Sequence, residues 1–163
     1  MFQSCANVIH APEELLTIVQ KERGQGKKIV FTNGCYDIIH SAHVYLLAEA
    51  KALGDILIVA LNTDDSVRRQ NKGPDRPIVP LESRAFVLAH LRSVDYVTSF
   101  DDDTPLSLIE IVQPDVLVKG GDWNVESTVG ADIVRKRGGS VHFIPYIEGY
   151  STTSIIKKIR EGQ

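Results

Sequence analysis

The chain has 163 residues, 43% hydrophobic and 24% charged, with a formal net charge of −3, which fits one ordinary globular domain over residues 1–163. That acidic balance argues against a nucleic-acid binder, whose surface is basic, yet leaves room for a nucleotide, which a local group of donors can hold. No apolar run approaches the roughly 20 residues that span a bilayer, and Met1 to His10 lack the basic start and apolar stretch of a signal peptide, so a cytoplasmic protein without membrane contact is expected.

Ala11-Pro12-Glu13-Glu14 opens the first helix, with proline and acids where a helix start favours them, and the helix runs to about Arg23. Gly24 to Gly26 end it. Lys28 to Phe31 read as a buried strand running into the polar loop Thr32 to His40. A helix from about Ser41 to Leu53 follows, stopped by Gly54. Ile56 to Leu61 is continuously apolar, the pattern of a strand buried on both faces of a parallel sheet. Asn62 to Asp65 leave its C-terminal end. Asn71 to Pro80, with its glycine and proline turns, reads as an exposed loop.

Leu81 to Leu91 reads as a helix, Tyr96 to Ser99 as a short strand and Thr104 to Val112 as a helix. Val116 to Val118 is another buried strand, ending in Lys119-Gly120-Gly121-Asp122-Trp123. Val129 to Lys136 is helical, Gly138-Gly139 stops it, Val141 to Ile144 is the last strand, and the last helix runs from Ser151 to about Arg160. The two cysteines, Cys5 and Cys35, form no metal-like pair and read as reduced thiols.

Strands and helices alternate in series, so the expected fold class is α/β, a Rossmann-like doubly wound parallel sheet. Ligands of such sheets bind at the C-terminal strand ends, near a switch in strand order. Three polar segments lie there: Thr32 to His43, Asn62 to Asp65, and Lys119 to Trp123. A fourth, Ser151-Thr152-Thr153, follows the last strand.

His40 and His43 lie about one helical turn apart and can face one ligand. With Ser41 as the N-cap they would flank the open N–H groups of the first turn. They can be structural, can hold a metal only with further ligands such as Cys35 or Asp37, or can donate to phosphate oxygens during a transfer. The glycine loop before them favours the last. Asp37 either fixes that loop or places a ligand group. Lys119, at a buried strand's end, needs an anion or the mouth of a site; Asp122 offers it an ion pair or binds a sugar hydroxyl. Ser151, Thr152 and Thr153 cap the last helix and can also contact phosphate. Arg68, Arg69, Lys72 and Arg76 are four cations in nine residues, either a solvated face or a lid over a triphosphate. Asp103 and Thr104 read as caps of the following helix.

The run Phe31-Thr32-Asn33-Gly34-Cys35-Tyr36-Asp37, the two histidines, the run Asp115 to Asp122, and Glu148-Gly149-Tyr150-Ser151-Thr152-Thr153 together resemble the nucleotidyltransferase superfamily with the His-x-Gly-His signature. Within it they are similar to the branch that makes ADP-heptose, the D-glycero-β-D-manno-heptose 1-phosphate adenylyltransferases of lipopolysaccharide synthesis. The likeness runs from about residue 10 to 160. It implies attack of a sugar 1-phosphate on the α-phosphorus of ATP, with Mg²⁺ accompanying the triphosphate and no dedicated metal ligands on the protein. It implies catalytic roles for His40, His43 and Lys72. It implies nucleotide contacts from Thr32, Asn33, Gly34, Cys35, Asp37, Lys119, Gly120, Asp122, Ser151, Thr152 and Thr153. Asn62, Asp64 and Arg84 are implied at the sugar or phosphate. A homodimer or higher homo-oligomer, a stand-alone form of a domain often fused to a sugar kinase, and a separate heptose kinase follow from the same resemblance.

The signature is broken at Ala42, where glycine is usual; the expectation is that a small shift of the helix start accommodates the methyl. Tyr146 stands near a position where several cytidylyltransferases carry arginine. Two alternatives stay open: a CTP-dependent enzyme acting on a small phosphorylated alcohol such as glycerol 3-phosphate, and a nucleotide-binding module without catalysis.

Overall fold

The computed structural model describes residues 6–9, 11–70, 73, 75–121 and 124–162, and for Val125 the backbone alone. Five parallel strands form one sheet: β1 (Ile29–Gly34), β2 (Ile56–Asn62), β3 (Tyr96–Phe100), β4 (Val116–Gly120) and β5 (Ser140–Ile144), in the order β3-β2-β1-β4-β5. The α/β, Rossmann-like, doubly wound expectation holds. The helices are α1 (Pro12–Gly24), α2 (Ser41–Lys51), α3 (Asp64–Arg69), α4 (Leu81–Ala89), α5 (Leu106–Val112), α6 (Ala131–Lys136) and α7 (Thr152–Glu161), with a 3₁₀ turn at Val125–Ser127.

Alternation along the strands divides the core into two layers. Ile29, Phe31, Ile56, Ile58, Ala60 and Leu117 face one side with Leu15 and Val19 of α1 and Ile109 of α5. Val30, Leu57, Val59, Leu61, Val116 and Val118 face the other with Leu47 of α2 and Leu88 of α4. Burial of both faces is why Ile56 to Leu61 carries no polar residue. At the β3 edge, Asn7 to Ile9 pair with Val97, so that edge is covered.

The chain runs from β1 outward through β2 and β3, then crosses to β4 and β5 on the other side. The switch in strand order therefore lies between β1 and β4, and the crevice above their C-terminal ends is the place for a ligand.

Three local expectations change. β1 extends to Gly34, because Thr32, Asn33 and Gly34 keep pairing with β2, so the connecting loop begins only at Cys35. Helix α3, beyond the expected polar segment Asn62 to Asp65, forms because Thr63 caps it through Ser66 N–H, with Asp64 and Asp65 in its first turn and Arg68 and Arg69 in its last. Helix α5 starts at Leu106 behind Pro105 with no side-chain cap, so Asp103 and Thr104 do not cap it. Asp103 pairs instead with Arg69, and Asp101 accepts from Thr63.

Candidate active site

The loop from Cys35 to His40 sits over the switch point, and four consecutive residues tie it to four different segments. The Cys35 carbonyl accepts from Arg84 Nη1 of α4 at 2.6 Å. The ring of Tyr36 lies 5.1 Å from that of His43 in α2. The Asp37 carboxylate accepts from Arg76 Nε and from the N–H groups of Ile78 at 2.9 Å and Val79 at 2.7 Å. The Ile38 carbonyl accepts from Thr152 Oγ1 of α7 at 3.5 Å. Gly34 lies close beneath this loop: a Cβ there would stand 3.0 Å from the Tyr36 ring, a tight contact. Tyr36 itself takes a φ of 46°, a left-handed conformation rare outside glycine and asparagine.

The N-cap of α2 is His40, not Ser41; its extended backbone and free side chain make Ser41 the first helical residue. His40 and His43 thus occupy N-cap and third position. Their rings stack, centroids 3.8 Å apart at 23°. The Nδ1 atoms of both are buried without a hydrogen-bond partner among the described residues. Buried polar atoms of that kind are rare and call for a ligand or ordered water. Burial lowers both imidazoles from their ordinary range. His43 falls to about 4, the neighbouring His40 and Arg76 adding to desolvation while the Ile38 carbonyl works against it. Both rings are therefore neutral near pH 7. Among the described residues no partner takes the N–H groups of Ser41 and Ala42, whereas His43 N–H bonds to the His40 carbonyl. Ala42 fits the first turn as a regular helical residue.

Lys119 and Asn33 end β4 and β1, the two strands flanking the switch. The Lys119 ammonium donates to the neutral Asn33 Oδ1 and meets no carboxylate among the described residues. Burial lowers its pKa to about 8. Beyond it the Tyr146 ring lies over Gly120 and Gly121. A Cβ on Gly121, whose φ is 97°, would stand 2.4 Å from that ring. The requirement for two glycines there was a signal for a close-packed group that sequence reasoning did not use.

The other cations expected at the phosphates are engaged elsewhere. Arg68 pairs with Asp65 and Arg69 with Asp101 and Asp103, all on exposed surface. Arg76 is buried against Asp37. A basic lid over residues 68–76 is thus not what the described cations form. Arg84, expected at sugar or phosphate, has no exposed side-chain surface; its guanidinium donates to the carbonyls of Val79, Cys35 and Asn62 and to Asp64 Oδ1. Asn62 is buried and donates to Ser66 Oγ, while its Oδ1 lies 3.7 Å from the Cys35 thiol. Asn62, Asp64, Asp37 and Arg84 therefore build the frame of the site. Thr32 is buried within β1, while Asn33, Gly34 and Gly120 are half-buried at the strand ends. Thr153 presents a hydroxyl without a described partner, whereas Ser151 caps α7 and Thr152 holds Ile38. Asn71, Lys72, Asp122, Trp123 and Cys5 lie outside the described residues.

At the opposite, N-terminal ends of the strands a cavity of about 520 Å³ is lined by Arg23, Lys27, Lys28, Asp115 and Arg137. Two of its cations are already used: Arg23 donates to the carbonyls of Val112 and Gln113, and Lys27 pairs with Glu22. Among the described residues no helix is long and apolar enough to cross a membrane.

A family profile described as Cytidylyltransferase-like matches residues 31–158. The bifunctional protein HldE of Hahella chejuensis is 53% identical over 151 residues, covering 93% of this chain and 31% of that protein. HldE of Azotobacter vinelandii is 54% identical over 148 residues, covering 91% and 31%. The chain thus spans about a third of the length of these relatives. Among solved structures, a lipopolysaccharide core biosynthesis protein from Thermoplasma volcanium superposes with a TM-score of 0.61 at 27% identity, covering 77% of this chain and all of that one. A pantoate-β-alanine ligase from Francisella tularensis, with a TM-score of 0.60 at 16% identity over 96% of this chain and 78% of its own, shares the fold.

Proposed function

This chain belongs to the cytidylyltransferase-like family, and on that premise we propose that it transfers AMP from ATP to D-glycero-β-D-manno-heptose 1-phosphate, giving ADP-heptose and pyrophosphate for lipopolysaccharide core synthesis. The observation that carries this reading is the stacked His40–His43 pair, with unpartnered ring nitrogens, at the open start of α2 beside the β1–β4 switch.

In this reaction a phosphate oxygen of the sugar 1-phosphate bonds to the α-phosphorus, and the bond from that phosphorus to the bridging oxygen breaks. The attacking oxygen is already anionic, so no proton has to be removed. The protein must position two anions and stabilise the charge that moves onto the leaving pyrophosphate. The residues suit that demand. Asp37, the buried carboxylate of the loop, has both oxygens occupied and is not a base. The neutral imidazoles donate hydrogen bonds to the transferring phosphate and its leaving group. The Ser41 and Ala42 N–H groups add the favourable end of a helix. Lys119 supplies a positive charge at the switch. Thr32, Asn33, Gly34, Cys35, Gly120 and Thr153 line the nucleotide, and Lys72 and Asp122 are assigned on resemblance.

Mg²⁺ would bring charge neutralisation to the triphosphate. The described residues offer no group of three or more His, Cys, Asp or Glu that could hold it, so its ligands would be phosphate oxygens and water. The same reading takes ATP and a sugar 1-phosphate as partners, a homodimer or higher homo-oligomer, a heptose kinase activity upstream, and the cytoplasm as location.

The test is pyrophosphate release with Mg²⁺, pairing ATP and CTP with the heptose 1-phosphate and with glycerol 3-phosphate. Turnover with ATP and the heptose phosphate alone is expected. Turnover with CTP overturns the nucleotide, turnover with glycerol 3-phosphate overturns the acceptor, and ATP binding without any turnover overturns catalysis.

A further inference from the structure

The peptide of Val79 is gripped from both sides by buried side chains of opposite charge. Its N–H donates to Asp37 Oδ1 at 2.7 Å, and its carbonyl accepts from Arg84 Nε at 2.9 Å. Neither side chain exposes any surface. Arg84 reaches onward to the carbonyls of Cys35 at 2.6 Å and Asn62 at 2.9 Å and to Asp64 Oδ1 at 2.6 Å. One guanidinium thus joins the loop after β1, the end of β2, the start of α3 and the segment before α4. Asp37 joins the same loop to Arg76 and to Ile78 N–H.

We infer that Asp37 and Arg84 are positioning residues for the transfer, a clamp on the Val79 peptide that fixes the Cys35–Ile38 loop and so the height at which His40 and His43 meet the phosphates. The path from clamp to chemistry is short. Between Cys35, whose carbonyl Arg84 holds, and Asp37 itself sits Tyr36, whose ring packs on His43. A four-donor fork of this span cannot be reproduced by an ammonium, so Arg84→Lys keeps the charge and loses the geometry. In Asp37→Asn the carboxylate becomes an amide whose NH₂ faces one of its former donors.

The inference rests on the proposed transfer for its kinetic readout, and on two readouts that need no turnover. In the unaltered protein the Ile78 and Val79 amides are expected to exchange slowly with deuterium; fast exchange would overturn the clamp. In Asp37→Asn and Arg84→Lys, kcat is expected to fall about 10²-fold, the scale of a small misplacement, with KM for ATP moved no more than about threefold. The nuclear Overhauser contact between the Tyr36 and His43 rings weakens with it. A ring contact that persists unchanged in both variants overturns the inference, as does an unchanged kcat. Should the parent itself form no nucleotide sugar, the functional reading fails, while the amide exchange and the ring contact still decide the clamp.

Discussion

Helices α2 and α7 both begin beside the switch point, and each places a matched pair of side chains at its N-cap and third positions. In α7 the pair is Ser151 and Ser154, and it closes a capping box: each hydroxyl accepts from the other residue's backbone N–H, at 3.0 and 3.1 Å. In α2 the pair is His40 and His43, and the His40 side chain makes no cap bond to the helix; the two rings stack on one another and leave the helix start open. The same spacing serves stability in one helix and availability in the other. Unmet hydrogen-bonding capacity at α2 is what the proposed transfer draws on, whereas α7 satisfies its own first turn.

The largest expected effect comes from converting one start into the other. The double variant His40→Ser with His43→Glu installs a capping box on α2. It should stabilise the fold by about 1 kcal/mol and lower kcat by at least the ~10²–10³-fold typical of losing one charge-stabilising donor, as thermal melts and pyrophosphate release would record. A double variant that keeps its activity breaks the comparison.

The histidines also set a pH dependence. Burial holds His43 near 4, below the ordinary 6.5. Between those values the unfolded chain takes up a proton that the folded chain refuses, so stability falls as pH drops from 6.5 toward 4. Melting temperature against pH should show that slope in the parent and less of it in His43→Ala.

Lys119 titrates on the other side of neutrality. Its charge is full well below about 8 and fades above it. KM for the anionic substrates should rise as pH passes 8, and Lys119→Met should flatten that rise. Ser151→Ala should cost about 1 kcal/mol of stability and leave kcat within a few fold, since its hydroxyl serves the helix. Ala42→Gly should change turnover least, within about tenfold, or ~1.4 kcal/mol; a gain above ~100-fold would mean the methyl distorts the site.

Much of this could be read from sequence wherever one residue's surroundings are local. The sheet was legible because strands buried on both faces, such as Ile56 to Leu61, must be apolar throughout. The capping of α7 was legible because Ser151 and its partner lie three residues apart. The start of α2 at Ser41 was legible, but its N-cap was not, because Ser41 is a better N-cap than histidine by propensity and the structure places His40 there instead. Helix α3 escaped notice because six residues with one apolar side chain, Val67, give no periodicity. The parts of Arg76 and Arg84 could not be read at all. Their partners lie 39 and 49 residues away, and an arginine beside a phosphate site has the same letter whether it faces the ligand or the frame.

The most direct test is an amide and imidazole NMR titration of the unaltered protein with a non-hydrolysable ATP analogue and Mg²⁺. The account predicts the largest shifts at the Ser41 and Ala42 amides and the His40 and His43 ring nitrogens, with smaller ones at the first turn of α7. Shifts confined to α7, or to Lys28 and Arg137 at the far end of the strands, with α2 silent, would contradict it.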